Sequence, residues 1–350
     1  MPPIELQVPS EDAAAVPAPG RASIVIIGLL LFLATIHCTA SIFFVNYSYL
    51  DLKAYASGTE KLPYQGRIGM MPFLQMAENS PRFVALAAKI DANLAGHHKR
   101  SAFEGISPES LACMVLALAA LMLSVAVASF YGWKRFRSTW WLPPTLLLAM
   151  LYITQGARYQ TALWYPYDLP HAALFGTACL LILEGAWVPA VLVFLVDLPV
   201  RETAIYLASI SITVGWARSQ RRQGLIAAAL MVAAWIPFRL YIRHRFAANP
   251  SELGIHINFI LATLRNPVQW PQAASAFGFL LVPLCLGNRL LSRPQRAFML
   301  GALPCFVVTL AFGVWAETRI FGEWLLPAAV LLTAEISQRF ATGAPVSKTA

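Results

Sequence analysis

Charge is scarce in this chain. Of its 350 residues only 12% are Asp, Glu, Lys or Arg, about half the share of ~25% found in soluble domains. With 58% hydrophobic residues and a mean hydropathy of +0.61, one soluble core could not enclose the apolar surface. That excludes an ordinary cytosolic enzyme and, equally, a disordered chain. The common catalytic signatures are missing too: there is no HExxH, no P-loop, no GxSxG and no CxxC. Cysteine is sparse. Cys38, Cys113, Cys179, Cys285 and Cys305 lie far apart inside apolar segments, which fits neither a disulfide framework nor a zinc site. What remains is a polytopic membrane protein.

The net charge of +9 would suit a nucleic-acid binder until the charges are placed. Many of the Lys and Arg residues fall in short clusters between apolar runs, the positive-inside pattern of membrane loops. Residues 1–21 are rich in Pro, Ala and acid and read as a flexible cytoplasmic tail. Residues 22–45 are too long and apolar for a cleaved leader and read as a first spanning helix. Further apolar runs cover 110–133, 140–156, 169–184, 187–217, 224–242, 273–288, 297–315 and 324–338. Residues 341–350 form a second cytoplasmic tail, leaving 22–340 as the transmembrane domain.

The run 187–217 has two readings. It is one long tilted helix with Asp197 and Arg201 paired at i,i+4, or two short helices broken at Leu198–Pro199. Charge placement favours the break. With it there are about ten crossings, both termini are cytoplasmic, and the clusters Lys134/Arg135/Arg137, Arg218/Arg221/Arg222 and Arg289/Arg293/Arg296 share one side. Pro199 agrees, because proline removes a backbone donor. The expected fold is therefore all-α: a polytopic transmembrane helical bundle with amphipathic helices in a long first external loop, 46–109. Inside that loop Phe83, Leu86, Ala87 and Ile90 follow i, i+3, i+4, i+7, one face of an amphipathic helix lying on the membrane.

Ionisable residues at membrane depth are expensive and usually have a partner or a task. The expected topology gathers them at the external end: Asp51 past the first helix; Tyr167, Asp168 and His171 in WYPYDLPHAALF; Arg201 and Glu202 at the break; and Glu317, Arg319 and Glu323 in AETRIFGEWLLP. Structural readings stand beside the functional ones. Asp51 suits a solvated cap, Asp168 an N-cap, Asp197 and Arg201 an ion pair, and Glu317, Arg319 and Glu323 an interfacial charge cluster. His37 reads as a core histidine and His97–Arg100 as a solvated loop or a head-group contact. Arginine binds phosphate oxygens bidentately and stays charged, and a carboxylate can serve as general base to a hydroxyl. These parts suit group transfer from a lipid-linked donor, whose tail belongs in the bilayer and whose head lies at its edge.

The layout resembles the C-type integral-membrane glycosyltransferases, and more narrowly poorly characterised bacterial membrane proteins of that type. The resembling pieces are Asp51 followed by LPYQGRIGMMPFL (62–74), then YDLPHAALF, LVDLPVRETAIYL and ETRIFGEWLLP. The resemblance implies Asp51 as catalytic base, with Arg67, Arg201 and Arg319 as phosphate or sugar contacts. Tyr167, Asp168, His171, Glu202, Glu317 and Glu323 complete the substrate-binding set. It implies an enzyme of the bacterial inner membrane that moves a sugar from a polyprenyl-phosphate donor to an envelope glycan or lipid acceptor. No residue is nominated as a metal ligand, and the one cofactor in view is a divalent cation. The next acid after Asp51 is Glu60, nine residues on, a departure from the second loop acid of the better-known families. Two other functions remain open, a transporter or flippase for lipid-linked saccharides and a non-catalytic subunit of an envelope assembly. No internal repeat supports a transporter with two similar halves.

Overall fold

The computed structural model of the chain describes residues 20–95, 105–156, 163–252, 289–312 and 322–341, with isolated positions between 258 and 270. It is almost entirely helical. The helices are α1 (Arg21–Val45), α2 (Leu52–Ser57), α3 (Met71–Glu78), α4 (Pro81–Ala95), α5 (Pro108–Phe136), α6 (Leu142–Leu151), α7 (Asp168–Glu184), α8 (Trp187–Asp197), α9 (Tyr206–Ala217), α10 (Arg221–Arg245), α11 (Arg293–Phe312) and α12 (Leu325–Ala341). Two dipeptides, β1 (Tyr47–Ser48) and β2 (Leu163–Trp164), pair in parallel.

Among the described residues three helices are long and apolar enough to cross a membrane: α1, α5 and α10. Each shows why. In α1, Leu31, Cys38 and Ile42 are buried on one stripe while Val25, Ile26, Leu29, Leu30 and Leu33 stay exposed. That surplus of apolar surface suits lipid and not water. The hydroxyls of Thr35 and Thr39 donate to the carbonyls of Leu31 and Thr35 at 2.7 and 3.0 Å, so neither carries an unmet donor into the apolar layer. Helix α5 is capped by Ser107, whose side chain accepts from the Ser110 amide. Pro108 and Glu109 lie in its first turn and Lys134 and Arg135 in its last, each on the favourable end of the helix dipole. Half of its apolar window is buried, and α1, α3, α6, α7 and α12 pack around it.

The run 187–217 is broken. Helix α8 stops at Asp197 and α9 begins at Tyr206, with Arg201 extended between them. At 11 and 12 residues these helices reach only ~17 and ~18 Å, short of the ~30 Å hydrocarbon layer. They form an antiparallel hairpin, because their outer ends touch: Trp187 Nε1 donates to Gln220 Oε1 at 3.0 Å and an Arg218 guanidinium nitrogen donates to the Leu183 carbonyl at 2.7 Å. Lys134 and Arg135 reach Glu184 at 2.9 and 2.7 Å. A cleft there is also lined by Arg218, Ser292 and Gln295. The clusters at 134–137, 218–222 and 289–296 thus meet at one end, here the basic end. Residues 46–95 and the hairpin turn lie at the other, the loop end.

The first loop carries more than one helix, as expected: α3 and α4 follow one another with a break before Pro81. Three other expectations are corrected. Phe83, Ala87 and Ile90 do pack inward, against Ile106 and Leu111, but Leu86 is exposed. The basic residues also do not all share one end: Arg243, His244 and Arg245 close α10, whose nearby Ile242 and Arg239 face Gly66 of the loop. The run 140–156 is regular helix only to Leu151, then a wide π turn, Tyr152–Gly156. His97–Arg100, the run 273–288 and residues 1–19 and 342–350 of the two tails lie outside the described residues.

Candidate functional site

The loop end is built where the hairpin turn meets the first loop. Gly69 makes this possible. Its amide donates to the Pro199 carbonyl at 2.7 Å, and a Cβ there would sit 2.9 Å from Val200 Cγ2 and 3.1 Å from the Pro199 oxygen. The close approach brings Arg67 onto Glu202. Its Nε and one terminal nitrogen donate to the two carboxylate oxygens at 2.9 and 2.6 Å, the bidentate fork suited to guanidinium and carboxylate. The guanidinium also lies 4.6 Å from the Tyr167 ring centroid, and the Tyr55 hydroxyl donates to the Arg67 carbonyl. Burial alone would raise the Glu202 carboxyl, but Arg67, helped by Arg201 and Arg239, holds it well below its ordinary 4.5.

Beside this pair, Arg201 faces Asp168 at 3.5 Å, a loose contact for an ion pair. Both side chains are about nine-tenths buried. Nε of Arg201 has no hydrogen-bond partner among the described residues, which is costly for a buried charged group. One turn into α7, His171 is fully buried. Its Nδ1 lies 2.8 Å from Asp197 Oδ1 and its Nε2 2.8 Å from Glu323 Oε2. Thr203 donates to the same Glu323 oxygen at 2.8 Å, and Cys305 Sγ to the other at 3.3 Å. Neutral imidazole has one N–H, and ionised carboxylates only accept. Holding both bonds takes a doubly protonated ring or a proton on one carboxyl, whereas a neutral ring would accept instead from the Thr203 hydroxyl, 2.9 Å from Nε2; the group can take up and release a proton without losing its partners.

Of the ten nominated residues, Arg67, Tyr167, Asp168, His171, Arg201, Glu202 and Glu323 come together from four separate segments. Glu317 and Arg319 lie outside the described residues. Asp51 stands apart. It is exposed and caps α2, its carboxylate accepting from the amides of Lys53 and Ala54 at 3.0 and 3.1 Å, and it lines a separate cavity of about 550 Å³ with Lys53, Asp91, Glu109 and Trp164. A relay still ties it to the cluster. The Asp51 amide donates to Glu60, the Glu60 amide to Gln65, and Gln65 to the Tyr55 carbonyl, at 3.1, 2.9 and 3.3 Å. Between the two lies a row of tyrosines in edge-on and tilted contact: Tyr49, Tyr64 and Tyr165 have centroids 5.4–5.5 Å apart, and Tyr165 continues to Tyr167 at 5.6 Å. Burial pushes the Tyr64 hydroxyl up to about 12, so that ring is neutral.

Two partnerships differ from expectation. Asp168 is not the N-cap of α7, a position held by Tyr167 with no side-chain cap. Asp197 bonds to His171, and Arg201 turns to Asp168, because the break removes the helical spacing that would have paired Asp197 with Arg201. Thr203 and Cys305 were not anticipated. Thr203 follows the Arg-Glu pair directly, a readable signal; Cys305 in an apolar run gives none. Among the described residues no three His, Cys, Asp or Glu side chains are arranged to hold a metal ion. Comparison with family models, curated proteins and solved structures returns no match.

Proposed function

We propose that this chain is an integral-membrane transferase of the bacterial inner membrane, with about ten crossings, its basic end cytoplasmic and its loop end external. It moves a sugar from a polyprenyl-phosphate donor to a glycan or lipid acceptor. The supporting observation is Arg201: a guanidinium held at the loop end of an apolar bundle, loosely paired and with a donor to spare. Arg67 is already neutralised by Glu202 and orients the loop. A donor phosphate would take the free donor capacity of Arg201, while Tyr49 and Tyr64, the accessible rings of the tyrosine row, offer their faces to the sugar. The acceptor hydroxyl attacks the anomeric carbon and its proton passes to the Asp51 carboxylate. The bond from that carbon to the phosphate oxygen breaks, and the lipid phosphate leaves with the electron pair.

The test is transfer by the purified full chain from a panel of radiolabelled polyprenyl-phosphate hexoses and pentoses. Asp51→Asn keeps the cap, since asparagine caps as well as aspartate, but removes the base. It should lower the rate by roughly 100-fold or more with unchanged thermal stability, and Arg201→Ala should also abolish transfer. Retention of activity in both variants removes the assignment. A second reading, transport, is favoured by the His171 unit alone, because buried Asp–His–Glu chains mark proton relays in membrane carriers. Lipid-saccharide movement in liposomes, without transfer and lost in His171→Gln, would favour it.

A further inference from the structure

At the basic end, away from this site, α9 and α11 leave a groove of about 670 Å³ between them. We infer that it binds one anionic phospholipid of the adjacent leaflet. The helices run antiparallel. Ser209 donates to the Gly301 carbonyl at 2.7 Å, a Cβ on Gly301 would lie 2.7 Å from Ile210 Cα, and Trp216 and Ala217 share the groove with Arg293 and Arg296, so the end of α9 meets the start of α11. Along α11, Arg293, Arg296, Leu300 and Leu303 fall at i, i+3, i+7, i+10 and all line the groove, one face of a helix. Opposite them stand Ile212 and Trp216. All six are solvent-accessible, Leu300 at 61%.

The face is therefore divided, with two guanidinia at its mouth and leucines beyond. From Arg293 to Leu303 is ten residues, or ~15 Å of helix, half of a ~30 Å hydrocarbon layer. That depth fits a lipid of one leaflet and is too short for a spanning partner helix. Neither guanidinium has an ion-pair or hydrogen-bond partner among the described residues, in contrast to Arg135 and Lys134 on the same end, which share Glu184. Trp216 lies under the guanidinium of Arg221 at 4.5 Å, an indole anchored at head-group level where tryptophan concentrates. Basic pockets between helices at the cytoplasmic surface recognise anionic head groups by this combination.

The test is native mass spectrometry of the purified, delipidated full chain titrated with phosphatidylglycerol or phosphatidylcholine. Preferential retention of phosphatidylglycerol is expected. Arg293→Gln/Arg296→Gln should weaken it by roughly thirty-fold, from ~1 kcal/mol per arginine at an anionic surface and 1.4 kcal/mol per tenfold. Ala297→Trp, which fills the groove with both arginines intact, should weaken it as much, and Arg222→Gln, on the same end but outside the groove, should leave it unchanged. Equal retention of the two lipids, or retention unaffected by both groove variants, overturns the inference. Displacement of the lipid by millimolar inorganic phosphate alone would overturn it as well, because the groove would then be reading only the anion. None of these outcomes depends on transfer activity.

Discussion

Arg67 and Glu202 show what a buried charge pair does in an apolar setting. Removing one partner of such a pair typically costs 3–5 kcal/mol because the other charge is left unpaired. Glu202 keeps about a quarter of its side chain exposed, which softens the cost. Arg67→Ala is therefore expected to destabilise by about 2–3 kcal/mol in detergent unfolding, and Arg67→Ala/Glu202→Ala by less than that. A double variant worse than the single would show that the pair is not what holds the loop. The pH dependence has a definite sign. The folded carboxyl of Glu202 lies below its ordinary 4.5, so its stabilisation is complete above about that value and is lost as pH falls from there towards the lower folded value. The melting-temperature gap between wild type and Glu202→Gln should hold steady from pH 7 to about 5 and narrow below. These residues were legible in the sequence because a charge inside an apolar run has few innocent explanations. Their partners were not, since Asp197 finds His171 and Arg201 finds Asp168 only after the chain turns at Leu198–Arg201.

At the scale of elements, small residues let the helices meet. A Cβ added to Gly215 of α9 would come 2.9 Å from Gly224 Cα of α10, and one added to Gly224 would come 3.0 Å from Gly215 Cα. In a bilayer the hydrophobic effect does not drive helices together, so this close approach carries much of their association. Gly224→Val should force α9 from α10 and cost about 1–3 kcal/mol as overpacking. Gly28→Val on α1, where a Cβ meets nothing within 4 Å, should not lower stability. Equal melting temperatures for the two variants would refute the close-packing argument. The hairpin of α8 and α9 was legible from Pro199 and the basic clusters, but its helices are shorter than the apolar run suggests, because Arg201 and its neighbours unwind to reach the first loop. The amphipathic face of α4 was legible in part: periodicity found Phe83, Ala87 and Ile90 and wrongly added Leu86, which is exposed.

For the whole molecule, everything turns on which end faces which compartment. The basic end gathers Lys134, Arg135 and Arg218 as the positive-inside rule asks, yet Arg239, Arg243 and Arg245 stand at the loop end, where clusters counted between apolar runs left them out. Orientation is therefore a contest between two basic ends, and the compact clusters in the short connections of the basic end should outweigh charges spread over the long 46–109 loop. Cysteine labelling can decide it, because Cys38, Cys113, Cys179 and Cys305 are buried and Cys285 can be replaced by serine. In that background Arg137→Cys and Ser219→Cys, both exposed at the basic end, should react with an impermeant maleimide only in inverted vesicles. Ser57→Cys and Arg245→Cys, exposed at the loop end, should react in intact cells. If Arg137→Cys and Ser219→Cys label from opposite sides, α8 and α9 are not a returning hairpin and the cluster around Arg201 loses its common end. If the whole pattern inverts, the hairpin stands, but the Asp51 cavity opens to the cytoplasm, where nucleotide sugars replace lipid-linked donors as the available source of activated saccharide.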